Sequence, residues 1–254
     1  MSEAKELLRR YLRQRGELGE TELFLDRYTA GELRDLLAAS PAAPARAAVL
    51  TPVERAAGAP APGATAPEIV QIGSLAELRE VALGCPRCRL AETRQHVVFG
   101  EGNPQAQVVV VGEAPGAEED RTGRPFVGRA GKLLDLLLAS VGFAREQVFI
   151  CNVLKCRPPG NRNPQPEEIE ACSPYLLRQI ELLGPRVILA CGTFAAQTLL
   201  GTSVSISKLR GGIHHYHGVP LIATYHPAAL LRNAAWVRLT WEDLQRLRGV
   251  LDSA

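Results

Sequence analysis

Residues 108–135 read VVVVGEAPGAEEDRTGRPFVGRAGKLLD. Four consecutive valines without polar alternation predict a strand buried on both faces, the mark of a mainly parallel sheet covered by helices. The strand empties into a turn rich in Gly and Pro. An acidic cluster follows, then Gly-Arg-Pro-Phe, then an apolar pattern at helical spacing. In an α/β protein a turn of this kind, at the carboxyl end of a buried strand, is where a ligand sits.

Outward from this turn the chain alternates. Helices are predicted over 74–83, 130–140, 166–183, 193–200 and 235–251. The first has Ser74 as N-cap with Glu77 three residues on; the 166–183 helix is entered through Pro-Glu-Glu. Strands are predicted over 107–111, 147–150 and 186–190, and 213–216 with 219–224 read as a hairpin across His217-Gly218. The fold class is α/β, and no internal repeat is visible.

Upstream the composition changes. Leu7, Leu8, Tyr11 and Leu12 fall at helical spacing, and Thr29 with Glu32 caps a second helix over 29–39. Residues 1–39 thus read as a helical extension fit for a protein partner. Residues 40–67 hold six prolines and an excess of alanine, the composition of a linker. The main domain, over 68–254, follows.

Of 254 residues, 29 are Lys or Arg and 27 Asp or Glu, for a net charge of +2. Residues 121–162 hold eight basic side chains against two acidic ones. That local excess fits a phosphate-backbone footprint, and equally fits basic residues scattered over solvated faces. No apolar run approaches the ~18 residues of a membrane span. The first residues lack the apolar core of a secretory signal. A cytoplasmic location is expected.

Six cysteines are present. Cys85 and Cys88 form a CxxC, and Cys156 and Cys172 follow beside Pro and Arg. Cys151 and Cys191 end strands and read as small core residues. Four thiolates in two groups suit a structural zinc or an iron–sulfur cluster, and their spacing does not separate the two. A cytosolic disulfide fits less well, and a redox CxxC ordinarily opens a helix rather than following one.

The ordered set of GEAPG over 112–116 with Glu119 and Asp120, GRPFVG over 123–128, CNVLKCRPP over 151–159 and YHPAALLR over 225–232, with the CxxC upstream, closely resembles the family 4 uracil-DNA glycosylases. The resemblance spans roughly residues 75–250. It implies a three-layer αβα sandwich around a mainly parallel four-stranded sheet. It also implies a [4Fe–4S] cluster on Cys85, Cys88, Cys156 and Cys172, with Cys151 and Cys191 left out.

For the site, the resemblance implies a pocket for a uracil flipped out of DNA. Phe126 stacks the ring. The Asn152 amide donates to O4 and accepts from N3–H, which tells uracil from cytosine. His226 donates to O2 as negative charge builds there. Gly112, Ala114, Pro115 and Gly116 line the sugar and O2, and Glu119 crowds C5 against thymine. Glu113 shapes the site or orients water. Better-known superfamily members carry an Asp where this chain has Ala114, so the water-orienting group stays open. Leu230 and Leu231 are candidate wedges into the duplex. Arg232, Arg157, Lys155, Arg162 and Arg129 are candidate phosphate contacts. His214, His215 and His217 read as surface or packing residues, or at most as phosphate contacts.

No lysine nucleophile is apparent, so a monofunctional glycosylase leaving an abasic site is expected, acting as a monomer on single- or double-stranded DNA. The 156–165 segment, CRPPGNRNPQ, has no histidine, which argues against covalent trapping. The rival reading is a catalytically weak binder of damaged or single-stranded DNA with a structural cluster; a second is a cluster-based redox protein on the same fold.

Overall fold

The computed structural model describes residues 67–253. The helical extension over 1–39 and the linker, save its last residue, lie outside the described residues.

The sheet has six strands in the order β1-β3-β2-β4-β6-β5. Four parallel strands form its centre: β2 (Val108–Gly112), β3 (Phe149–Asn152), β4 (Val187–Cys191) and β6 (Val219–Thr224). Every residue of β2, β3 and β4 is buried. Two antiparallel edges complete the sheet, β1 (Glu101–Gly102) beside β3 and β5 (Ile213–Tyr216) beside β6. The four-stranded expectation therefore holds for the parallel centre and falls short at the edges. The β1 edge is two residues long and leaves no periodicity to read. Its pairing also needs a glycine, because a Cβ on Gly102 would stand 2.0 Å from the Val148 carbonyl oxygen.

The run of valines divides between two cores because successive strand residues face opposite ways. Val109 and Val111 join one cluster with Leu176 and Ile180 of helix α5 (Pro166–Leu183) and Ala195 and Ala196 of α6 (Thr193–Leu200). Val108 and Val110 join the other with Leu134 and Leu138 of α4 (Arg129–Ala139) and Leu244 and Leu247 of α9 (Trp236–Asp252). Helices thus cover both faces, giving the three-layer sandwich. Helices α1 (Pro67–Gln71) and α2 (Leu75–Leu83) pack on the α5 side. Ser74 caps α2 by accepting a hydrogen bond from the Glu77 amide at 3.2 Å. Among the described residues no helix is long and apolar enough to cross a membrane.

Four short helices were not apparent in the sequence: α1, α3 (Ala117–Thr122), α7 (Ile206–Leu209) and α8 (Pro227–Leu230). The acidic run after β2 is α3, whose first turn carries Glu118, Glu119 and Asp120. Acids at a helix start are favoured by the helix dipole. Strand β3 lies on one side of β2 and β4 on the other, so the chain crosses over at β2. A crevice at the carboxyl end of such a strand is the expected ligand position.

Candidate active site

The carboxyl ends of β2, β3 and β6 bring the main candidates together. Gly112 and Asn152 are direct register partners in the parallel β2–β3 pair. Above them the chain after β2 folds through α3 and returns Phe126 over Gly112. A Cβ on Gly112 would lie 2.3 Å from Asn152 Oδ1 and 2.4 Å from Phe126 Cζ. Glycine is required there because the aromatic ring and the amide both close on the same backbone atom. The Phe126 and His226 rings stack with centroids 5.5 Å apart and 29° between planes.

Asn152 is buried, and its Oδ1 has no hydrogen-bond partner among the described residues. A buried, unpaired amide oxygen costs on the order of 1–3 kcal/mol. Such an atom, beside Phe126 at the carboxyl end of β3, is set to accept from a ligand.

His226 is the N-cap of α8. Its Nδ1 accepts a hydrogen bond from the Ala228 amide at 3.1 Å. An accepting Nδ1 carries no proton, so the neutral ring holds its hydrogen on Nε2. Burial, helped by the charge of Arg232 and opposed by that of Glu119, pulls the imidazole down to about 4. At neutral pH the residue is therefore an uncharged donor. Behind it, Gly192 (φ 94°) follows β4; a Cβ there would stand 3.0 Å from His226 Cβ. Gly192 was missed in the sequence, although a Gly directly after a buried strand is the signal that marks it.

Glu119 does two jobs with one carboxylate. Oε2 accepts from the Gly116 amide at 3.1 Å; Oε1 accepts from the Val127 and Gly128 amides, each at 2.9 Å. It therefore ties the start of α3 to the turn that carries Phe126. Glu113 is half-buried, and burial raises its carboxyl above the ordinary range against the opposing charge of Arg232. Ala114 packs against the core, and Pro115 is buried. Arg232 is exposed at the same rim.

Two candidate DNA contacts are corrected. Lys155 is 2% exposed. Its Nζ donates to the Asn152 carbonyl oxygen at 2.8 Å and to Gln179 Oε1. A buried ammonium needs such partners, and none of its length is left for a phosphate. Leu230 is 2% exposed and packs in the α4–α9 core, so it is not a wedge; Leu231 beside it is 44% exposed. Of the remaining basic candidates, Arg129 is exposed, and Arg157 is half-buried with its Nε on Asn161 Oδ1 at 2.7 Å. Arg162 is bound to Glu168, whose carboxyl is held at about 2 chiefly by that hydrogen bond.

Cys85, Cys88, Cys156 and Cys172 line one cavity, formed between the end of α2, the loop after β3, and α5. Arg94 donates to Cys156 Sγ at 3.4 Å, and the Lys155 amide to Cys172 Sγ at 3.2 Å. Among the described residues no three His, Cys, Asp or Glu side chains converge as a ligand set for one metal ion. In a four-iron cube each thiolate takes its own iron, so the ligands surround a volume instead of meeting at a point. Four thiols around one cavity, with N–H donors aimed at two of the sulfurs, fit that group. Cys151 and Cys191 are buried on strand ends, away from this lining.

A flat heterocycle with one donor and one acceptor on its edge is what an aromatic floor and an unpaired amide accept. The family model described as the uracil DNA glycosylase superfamily matches residues 99–245, which hold Gly112, Phe126, Asn152 and His226. The chain belongs to that superfamily and, within it, to the type-4 uracil-DNA glycosylases. It is 50% identical over 171 residues to the type-4 uracil-DNA glycosylase of Thermotoga maritima, covering 66% of this chain and 89% of the relative. Identity to the Archaeoglobus fulgidus type-4 enzyme is 48% over 166 residues, 62% of this chain and 83% of that one. The Sulfurisphaera tokodaii type-4 enzyme is 44% identical over 184 residues, 69% and 84% of the two chains.

Proposed function

We propose that this protein removes uracil from DNA by hydrolysing its N-glycosidic bond, and that the site residues divide the work as follows. The flipped base slides over Phe126 with its Watson–Crick edge toward Asn152. Oδ1 accepts the N3–H, and Nδ2 donates to O4. Cytosine presents an acceptor at N3 and a donor at N4, so it would leave the buried Oδ1 unpaired and set two donors face to face. The unpartnered Asn152 Oδ1 is the observation that carries this reading.

As the bond to the sugar breaks, charge collects on the uracil, and His226 Nε2–H meets it at O2. A donor already oriented in a dry site contributes about 3–4 kcal/mol to such a step. Its neutral state matters, because the Nδ1 bond to Ala228 keeps the Nε2 hydrogen in place. The turn over 112–116 admits the sugar. Glu119 narrows the C5 side, and Glu113 at the rim orients water. Leu231 and Arg232 enter the duplex and meet its backbone. Lys155 keeps its amine on Asn152 and Gln179, which supports hydrolysis alone without a lyase step.

Cys85, Cys88, Cys156 and Cys172 hold a [4Fe–4S] cluster, whose chemistry here is a structural cross-link among the segment after α2, the loop after β3, and α5. The test of the reading is Asn152→Ala on a uracil-containing oligonucleotide, followed by alkali to reveal abasic sites. Excision should fall at least 100-fold, the order seen for loss of a site donor, with DNA binding retained. Excision within threefold of the parent would sink the assignment of Asn152.

A further inference from the structure

Phe126 has φ 50°, a left-handed backbone conformation that costs a non-glycine residue on the order of 1–3 kcal/mol. Something must hold it. The two peptide planes flanking its Cα set φ and ψ, and both carbonyl oxygens of those planes accept from one side chain, Arg145. Nη1 donates to the Phe126 oxygen at 3.1 Å, and Nη2 donates to the Pro125 oxygen.

The rest of the guanidinium is equally committed. Nη1 also donates to Asp135 Oδ1 at 2.9 Å. Nε and Nη2 both donate to Glu101 Oε1, at 3.1 and 2.8 Å. All five N–H donors of the arginine therefore have acceptors. Glu101 is in turn held by Arg124 at 2.7 and 3.0 Å. Arg145 sits in the turn just before β3 and is 15% exposed, so these bonds form with little competing water. The Val127 amide, on the far end of the same peptide plane, is taken by Glu119. Gly131 leaves the room: a Cβ there would stand 1.8 Å from the Phe126 oxygen.

We propose that Arg145 is a positioning residue for uracil excision, which locks both backbone dihedrals of Phe126 so that its ring is a fixed stacking surface before the base arrives. This rests on the reading of Phe126 as the platform. Lysine cannot replace it, because three donors on one nitrogen do not span two carbonyls and two carboxylates.

The test is a double-mutant cycle on the full-length protein, with Arg145→Ala and Phe126→Ala singly and together, read as kcat and KM on a uracil oligonucleotide and as affinity for abasic-site DNA. Arg145→Ala should lower kcat 10- to 100-fold, the scale of a ~1 Å misplacement, with KM and abasic-DNA affinity within threefold. In the Phe126→Ala background the same change should cost less than twofold. An equal loss in both backgrounds, or no loss in the parent, overturns the proposal. If Phe126→Ala itself is harmless, the platform reading fails and the proposal with it; a harmful Phe126→Ala beside a harmless Arg145→Ala fails the proposal alone. Should Arg145→Ala not fold by circular dichroism, Arg145→Lys, which keeps a charge beside Glu101, enters the same cycle under the same criteria.

Discussion

Replacing Gly112 with Ala puts one methyl group at the point where the base reader and the stacking platform meet. The new carbon would lie 2.3 Å from Asn152 Oδ1, and 2.4 and 2.6 Å from two Phe126 ring atoms. Carbon atoms rest at about 3.5–4.0 Å, so at least one group must retreat by about 1 Å. The Phe126 backbone is pinned by Arg145 and Glu119, and Asn152 lies on a buried strand, so neither moves freely. Overpacking of this kind costs about 1–3 kcal/mol of stability, a melting shift of roughly 2–12 °C for a domain this size. The catalytic loss should be larger, about 100-fold, because a 1 Å error at a reacting geometry costs that much. The assay is single-turnover excision from a uracil oligonucleotide well below the melting point, with abasic-DNA affinity as the folding control. Gly73→Ala supplies the comparison, since a Cβ there meets nothing within 4 Å. Excision by Gly112→Ala within threefold of the parent would refute the packing of ring and amide on this glycine.

His226 should show no ordinary histidine ionisation: its pKa is held near 4 against 6.5 for a free imidazole, so kcat/KM should stay level through pH 6.5. The unfolded chain takes up this proton first; the residue's contribution to stability is therefore complete above pH 6.5 and lost as pH falls toward 4. A limb at pH 6.5 that vanishes in His226→Gln would contradict the burial argument. Leu231→Ala should slow excision from duplex about tenfold while sparing single strands, whereas Leu230→Ala should lower stability by about 2–5 kcal/mol as a core truncation; the reverse pattern would exchange their roles. Cys172→Ala should yield protein that retains little iron, measured by metal analysis, and that melts lower; undiminished iron content would remove Cys172 from the ligand set.

What was legible in the sequence and what was not divides along a physical line. The buried valines announced a parallel sheet because burial on both faces leaves its mark on every residue of the strand. Phe126, Asn152 and His226 were legible through the family resemblance, because each lies inside one of the short ordered motifs that carry it: GRPFVG, CNVLKCRPP and YHPAALLR. Lys155 was misread for the opposite reason. A lysine two residues before an arginine reads as surface charge, and only the fold supplies Gln179, 24 residues away, to accept from its amine. Leu230 and Leu231 could not be told apart, since a four-residue helix is too short to reveal its phase, and that phase decides which leucine faces the core.

Arg145 shows the same limit in its strongest form. Its acceptors come from an edge strand, a turn and a helix, at separations of 44, 19 and 10 residues, so no local pattern announces it. The consequence reaches the chemistry. A residue in left-handed geometry is free to relax unless its surroundings over-determine it, and a ring that relaxes must be ordered again each time a base arrives. By holding both planes beside Phe126 from outside the pocket, the fold meets that cost once, during folding. The amide of Asn152 and the imidazole of His226 follow the same rule, one set on a buried strand and the other bound through Nδ1 to its own helix. Phe126 and His226 are thus held from behind, and Asn152 keeps an amide oxygen without a partner among the described residues.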